Sequence, residues 1–151
     1  MTTDPRTAAA LAEALDDEYR ARATYEKVIA KFGPVRPFVN IVEAEERHIA
    51  ALLRQFSRLG LDPAPDPWPG RVEASATLEE ACAAGVAAEI GNGALYDRLI
   101  AQAQDPQIRD VMRQLRDASQ ERHLPAFRRC LSRPHCSRGR LTERPRKGTE
   151  T

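Results

Sequence analysis

Two segments of this chain read almost alike: Glu45-Glu46-Arg47-His48 and Gln120-Glu121-Arg122-His123. Between them they hold two of the three histidines in 151 residues. A side chain three residues before a histidine shares its helical face, so Glu45 and His48 form a carboxylate–imidazole pair and Gln120 and His123 an amide–imidazole pair. Hard oxygen donors combined with imidazole suit iron or manganese. Such pairs act together only if the elements carrying them bring them to one level of the fold.

Composition favours helices as those elements. The chain is 42% apolar but only 5% aromatic, and Ala, Leu, Glu and Arg abound, a mix for packed amphipathic helices rather than a sheet. Proline and glycine mark the boundaries. A first helix is expected to open at Asp4-Pro5 and stop at Gly33-Pro34, and a second to run from about Pro37 to Leu59, closed by Gly60. The segment GLDPAPDPWPG is too rich in proline for helix or central strand and reads as a stiff extended connection. A third helix opens at SATLEE, capped by Ser75 or Thr77, and Asp105-Pro106 starts a fourth. Short turns make antiparallel hairpins, and a connection of about 15 extended residues can run the length of a bundle. The expected fold is therefore all-α: a four-helix bundle over residues 5–131, two antiparallel hairpins joined by one long crossover. A basic tail over 132–151 without apolar periodicity is expected to be disordered.

Each helix places polar groups on its apolar stripe. In the first the stripe passes through Leu11, Leu15, Glu18, Tyr25, Ile29 and Phe32, and in the second through Phe38, Ile41, Glu45, His48, Leu52, Phe56 and Leu59. The third gives Leu78, Cys82, Gly85, Glu89, Asn92, Tyr96, Leu99 and Ala103; the fourth gives Met112, Leu115, Ser119, His123 and Phe127, with Gln120 on the same side. Counted from the turns, Glu18 meets Glu45 and His48 at one height in the first hairpin, and Glu89 meets Gln120 and His123 in the second. Burying three carboxylates together without compensation costs several kcal/mol each or forces them to hold protons, and bound cations are one remedy. Tyr25 and Tyr96, seven residues after Glu18 and Glu89, are placed to hydrogen-bond carboxylates that hold a metal.

The segments DDEYRARATYEKVIAKFG, FVNIVEAEERHIAALL, AGVAAEIGNGALYDRLI and ERHLPAF, in that order, resemble the ferritin-like superfamily of rubrerythrins and bacterioferritins. The nearer similarity is to uncharacterised prokaryotic ferritin-like domains. That resemblance implies Glu18, Glu45, His48, Glu89 and His123 as metal ligands, with one or two iron or manganese ions per chain and ferroxidase or oxygen- and peroxide-related redox chemistry. This chain departs from the family pattern at Gln120, where a neutral amide stands for a bridging carboxylate. It departs again at Pro125, which removes a helical hydrogen bond beside His123 and is expected to kink the fourth helix.

Other readings compete. The polar groups could form a metal-free cluster, with Glu18 or Glu89 paired to Arg22 or Arg122, in a helical interaction or scaffold protein that keeps the fold without the chemistry. Residues 128–151 carry eight Arg or Lys and two Glu, but without interleaved aromatics, so nucleic-acid binding is disfavoured. Cys130, His135 and Cys136 supply only three ligands for a zinc site. No rubredoxin-like C-x-x-C module is present. Three cysteines without a C-x-x-C pair imply no disulfide framework. With no signal-like start and no long apolar run, they point to the cytoplasm. The expected partners are metal ions; a homodimer through an exposed helix face stays open, and a membrane is excluded.

Overall fold

A computed structural model of the chain describes residues 2–134. Helix α1 spans Pro5–Phe32, α2 Phe38–Leu59 and α3 Leu78–Gln102. The fourth helix comprises α4 (Pro106–Ala118), a π-helical turn (Ser119–His123) and α5 (Leu124–Ser132). The described residues contain four helices and no strand.

The boundaries follow from local chemistry. Asp4 accepts from the Arg6 amide, Thr77 from the Glu80 amide, and Asp105 from the Gln107 and Ile108 amides, each satisfying helix-start donors that would otherwise be unpaired. Pro5 and Pro106 stand just inside their helices, where no amide hydrogen is needed. Gly60 ends α2 in the left-handed region (φ 66°), a conformation that costs a side-chain-bearing residue more.

Helix directions can be read from paired contacts. Tyr96 reaches Glu18 and Tyr25 reaches Glu89, so α1 and α3 run antiparallel. Arg58 pairs with Asp105 while His48 stacks on His123, so α2 is antiparallel to the fourth helix. The crossover lies along α1: Trp68 Nε1 donates to Asp16 (3.0 Å), Arg22 pairs with Asp66, and Lys31 donates to the Ser75 carbonyl. The chain thus travels the length of the bundle before α3 begins, as expected.

Two apolar clusters fill the interior. One is built around Leu11, Leu15, Leu52, Phe56, Leu99, Ile108 and Met112, the other around Tyr25, Phe38, Cys82 and Phe127. In the second cluster the three aromatic rings pack with centroids 5.2–5.9 Å apart. Between the clusters lie Glu18, Glu45, Glu89 and His123, all buried.

One expectation requires correction. Cys82 and Cys130 are joined as a disulfide between α3 and α5, with Cα atoms 5.9 Å apart. The sequence offered no local pair because the partners are 48 residues apart and meet only when the helices pack. Cys130 is therefore not available to a zinc cluster, and His135 and Cys136 lie outside the described residues, as does most of the basic tail. At Pro125 the irregularity is a wide turn. The Leu124 amide bonds to the Ser119 carbonyl, five residues back, next to the proline whose ring would crowd an α-helical carbonyl. Among the described residues no helix is long and apolar enough to cross a membrane.

Helix α3 approaches α5 closely through Gly85, where a β-carbon would stand 2.6 Å from the Phe127 ring. Phe127 is fully enclosed and has nowhere to retreat. Gly85→Ala is expected to destabilise the fold by about 1–3 kcal/mol in denaturant unfolding; an unchanged midpoint would show that the helices can separate freely.

Candidate metal centre

Four helices deliver five side chains to one level. Glu18 comes from α1, Glu45 and His48 from α2, Glu89 from α3 and His123 from the π turn. They form two groups, Glu18–Glu45–His48 and Glu45–Glu89–His123, each offering ligand atoms within 4.8 Å of one another. Glu45 belongs to both groups. Its Oε2 lies 3.6 Å from His48 Nδ1, and its Oε1 lies 3.2 Å from His123 Nδ1. Glu18 Oε2 is 3.5 Å from His48 Nδ1, and Glu89 Oε1 is 3.5 Å from His123 Nδ1. The two imidazoles stack, 5.4 Å apart and within 16° of parallel.

The tyrosines serve the carboxylates crosswise. Tyr96 on α3 donates to Glu18 Oε1 (2.6 Å), and Tyr25 on α1 donates to Glu89 Oε1 (3.0 Å). Each phenol bonds the carboxylate of the opposite helix because antiparallel packing sets residue 25 against 89 and 18 against 96. Both hydroxyls are held protonated, their pKa values pushed well above 10 by burial and by the adjacent carboxylates.

Gln120 does not join the cluster. Its Nε2 donates to the Glu89 carbonyl (2.6 Å) and to Ser119 Oγ (2.8 Å), and it packs so tightly on Gly93 that a β-carbon there would meet it at 2.6 Å. Ser119 is the fourth-helix residue that reaches the cluster, donating to Glu89 Oε2 at 2.5 Å. Its polar place on the stripe, four residues before His123, was the one signal of this role. Glu121 is exposed. The arginines weighed as counter-ions lie elsewhere, Arg22 on Asp66 and Arg122 at the surface.

Charge compensation is therefore internal. Burial, reinforced by the neighbouring Glu45, lifts Glu18 to about 8. Burial opposes the charged forms of the histidines, but carboxylates outweigh it, lifting His48 to about 10 through Glu18 and Glu45 and His123 to about 9 through Glu45 and Glu89. Burial also works against the Glu45 carboxylate, yet the polar groups of Glu18, His123 and His48 beside it bring it below its ordinary value. Two buried atoms in the cluster nonetheless make no hydrogen bond, Glu45 Oε2 and His123 Nδ1. Buried polar atoms are ordinarily satisfied, so an unpaired carboxylate oxygen beside His48 in the first group and an unpaired nitrogen in the second fit cation binding. The buried Glu/His cluster can hold a metal ion.

Two cavities reach the cluster. One of about 120 Å³ on the α1–α3 face touches Glu45 and Glu89 and is walled by Asp17, Asn92 and small residues of α3. The other, of about 300 Å³, lies between α2 and the fourth helix and touches His48 and His123. In comparison with known proteins, the sequence matches no protein-family model and no curated protein.

The raised pKa values determine how the metal-free protein responds to pH. Between 4.5, the ordinary Glu value, and about 10, the folded chain holds protons on Glu18, His123 and His48 that the unfolded chain releases earlier. The Glu18 contribution is lost between 4.5 and about 8, and the histidine contributions, complete below 6.5, are lost by about 10. The depressed Glu45 acts oppositely but only in the acid range, below its ordinary 4.5. The melting temperature of chelator-treated protein is therefore expected to fall from pH 6 to pH 10, and Glu18→Gln to flatten the part below pH 8. A melting temperature independent of pH would contradict this protonation pattern.

Proposed function

We infer that this chain is a ferritin-like metalloprotein in which Glu18, Glu45, His48, Glu89 and His123 hold iron or manganese. The observation that carries the reading is the pair of buried triads sharing Glu45, with one Glu45 oxygen and one His123 nitrogen left unpaired among them. A single glutamate from one helix with a Glu-x-x-His pair from its neighbour is the donor pattern of di-iron and di-manganese bundles. The first hairpin supplies it in full. The second hairpin replaces its carboxylate with Gln120, so three carboxylates face two cations and the second position is expected to be the weaker.

Iron or manganese bound there supplies redox chemistry toward dioxygen or peroxide, and the function we assign is ferroxidase or a related oxidation. The protein's own contribution is positioning and exclusion of water. Tyr96 and Ser119 fix the free oxygens of Glu18 and Glu89, so each carboxylate presents a defined face. The apolar layers above and below keep bulk water from the cluster, and the two cavities are approaches to it.

Metal content of full-length protein, purified without chelator or histidine tag, tests the assignment. About two metal ions per chain are expected at saturation. Glu45→Ala, which breaks both triads, should remove both, whereas His48→Ala and His123→Ala should each remove one. Binding should release protons and strengthen as pH rises through 7, since Glu18, His48 and His123 must all be deprotonated to bind. No metal after anaerobic loading with ferrous or manganous ion would sink this reading and leave the metal-free scaffold.

A further inference from the structure

The repeated Glu-Arg-His step carries a second pair of residues that the metal centre leaves unused, Arg47 and Arg122. Each stands immediately before a histidine of the cluster, and both line the cavity between α2 and the fourth helix. His48 and His123 line it as well, with Asn40 and small apolar side chains completing its walls. No carboxylate is among the residues lining it, although acidic residues are numerous in the chain. The cavity on the opposite face is lined instead by Asp17, Glu45 and Glu89 with one arginine, so the two approaches to the cluster differ in charge.

Some arginines of the described residues are neutralised by carboxylates, and others, Arg47 and Arg122 among them, are not. Arg22, Arg58, Arg98 and Arg116 each pair with an acidic partner on a different element. Arg47 and Arg122 form no ion pair among the described residues. Two arginines lining a concave, partly apolar cavity raise the positive potential there, and the planar fork of a guanidinium matches the oxygen spacing of carboxylates and phosphates. The volume of about 300 Å³ is that of a small-ligand site.

We propose that this cavity binds one small oxyanion, a phosphate or a short carboxylate, between Arg47 and Arg122, with Asn40 as an additional donor. The arginines hold the anion without help from a metal, so the site stands or falls separately from the metal assignment. The test uses full-length, chelator-treated protein at low salt, titrated with inorganic phosphate and separately with acetate, and followed by amide chemical shifts. Saturable binding at one site, with shifts centred on Asn40, Arg47 and Arg122, is the expected result. Arg47→Gln with Arg122→Gln should weaken it about 100-fold, roughly tenfold per lost charged contact. Both side chains are exposed, so the melting temperature should hold. Arg98→Gln with Arg116→Gln should leave binding unchanged. A response to phosphate alone identifies a tetrahedral anion, and a response to acetate alone a carboxylate. Failure of both to saturate, or full affinity in the Arg47/Arg122 double variant, as binding to the basic tail would give, overturns the proposal.

Discussion

Three glutamates buried at one level of a narrow helical bundle are the constraint to which the rest of the structure answers. Each carboxylate taken out of water needs a donor, a proton or a counter-charge, and the fold provides all three kinds. Tyr96, Tyr25 and Ser119 donate hydrogen bonds, Glu18 retains its proton into the neutral range, and the two histidines stay charged. Glu45 lies between both imidazoles, so it ties the first hairpin to the second. This compensation is dense but incomplete, because Glu45 Oε2 and His123 Nδ1 remain without hydrogen bonds. Bound cations would take these atoms as ligands and displace the protons that now neutralise the cluster.

The two hairpins are near copies, and the points where they differ are informative. Helices α1 and α3 exchange equivalent tyrosine–glutamate bonds across an antiparallel contact. Helix α2 and the fourth helix are not equivalent, since Glu45 enters the cluster and Gln120 turns aside onto the Glu89 carbonyl. Gly93 makes that turn affordable by leaving space for the amide. The π turn belongs to the same adjustment. Four-residue steps overrun an α-helical turn by about 40° each, and the wider turn absorbs that drift, so that Ser119, His123 and Phe127 all face the interior. Pro125, which removes a donor and crowds the preceding carbonyl, stands where the wide turn ends.

The cluster also divides the bundle into two faces. Carboxylates look toward the α1–α3 cavity, and imidazoles flanked by arginines look toward the cavity between α2 and the fourth helix. On α2 that polarity follows from the sequence order within the motif. In Glu-x-Arg-His on a helix, the glutamate points inward, the histidine lies one turn further along the same stripe, and the arginine beside it swings toward solvent at the rim.

Local chemistry was enough to place the helices. Asp4, Thr77 and Asp105 cap, Pro5 and Pro106 open, and Gly33 and Gly60 close, because these effects depend on a few neighbouring residues. The polar positions on each stripe were equally legible, since helical periodicity fixes which residues share a face, and counting from the turns set Glu18, Glu45, His48, Glu89 and His123 at a common height. What a stripe cannot specify is the partner across the interface, which depends on the rotation and spacing of another helix. The crosswise tyrosine bonds, the Cys82–Cys130 disulfide, the withdrawal of Gln120 in favour of Ser119 and the shared cavity of Arg47 and Arg122 were therefore decided only by tertiary packing.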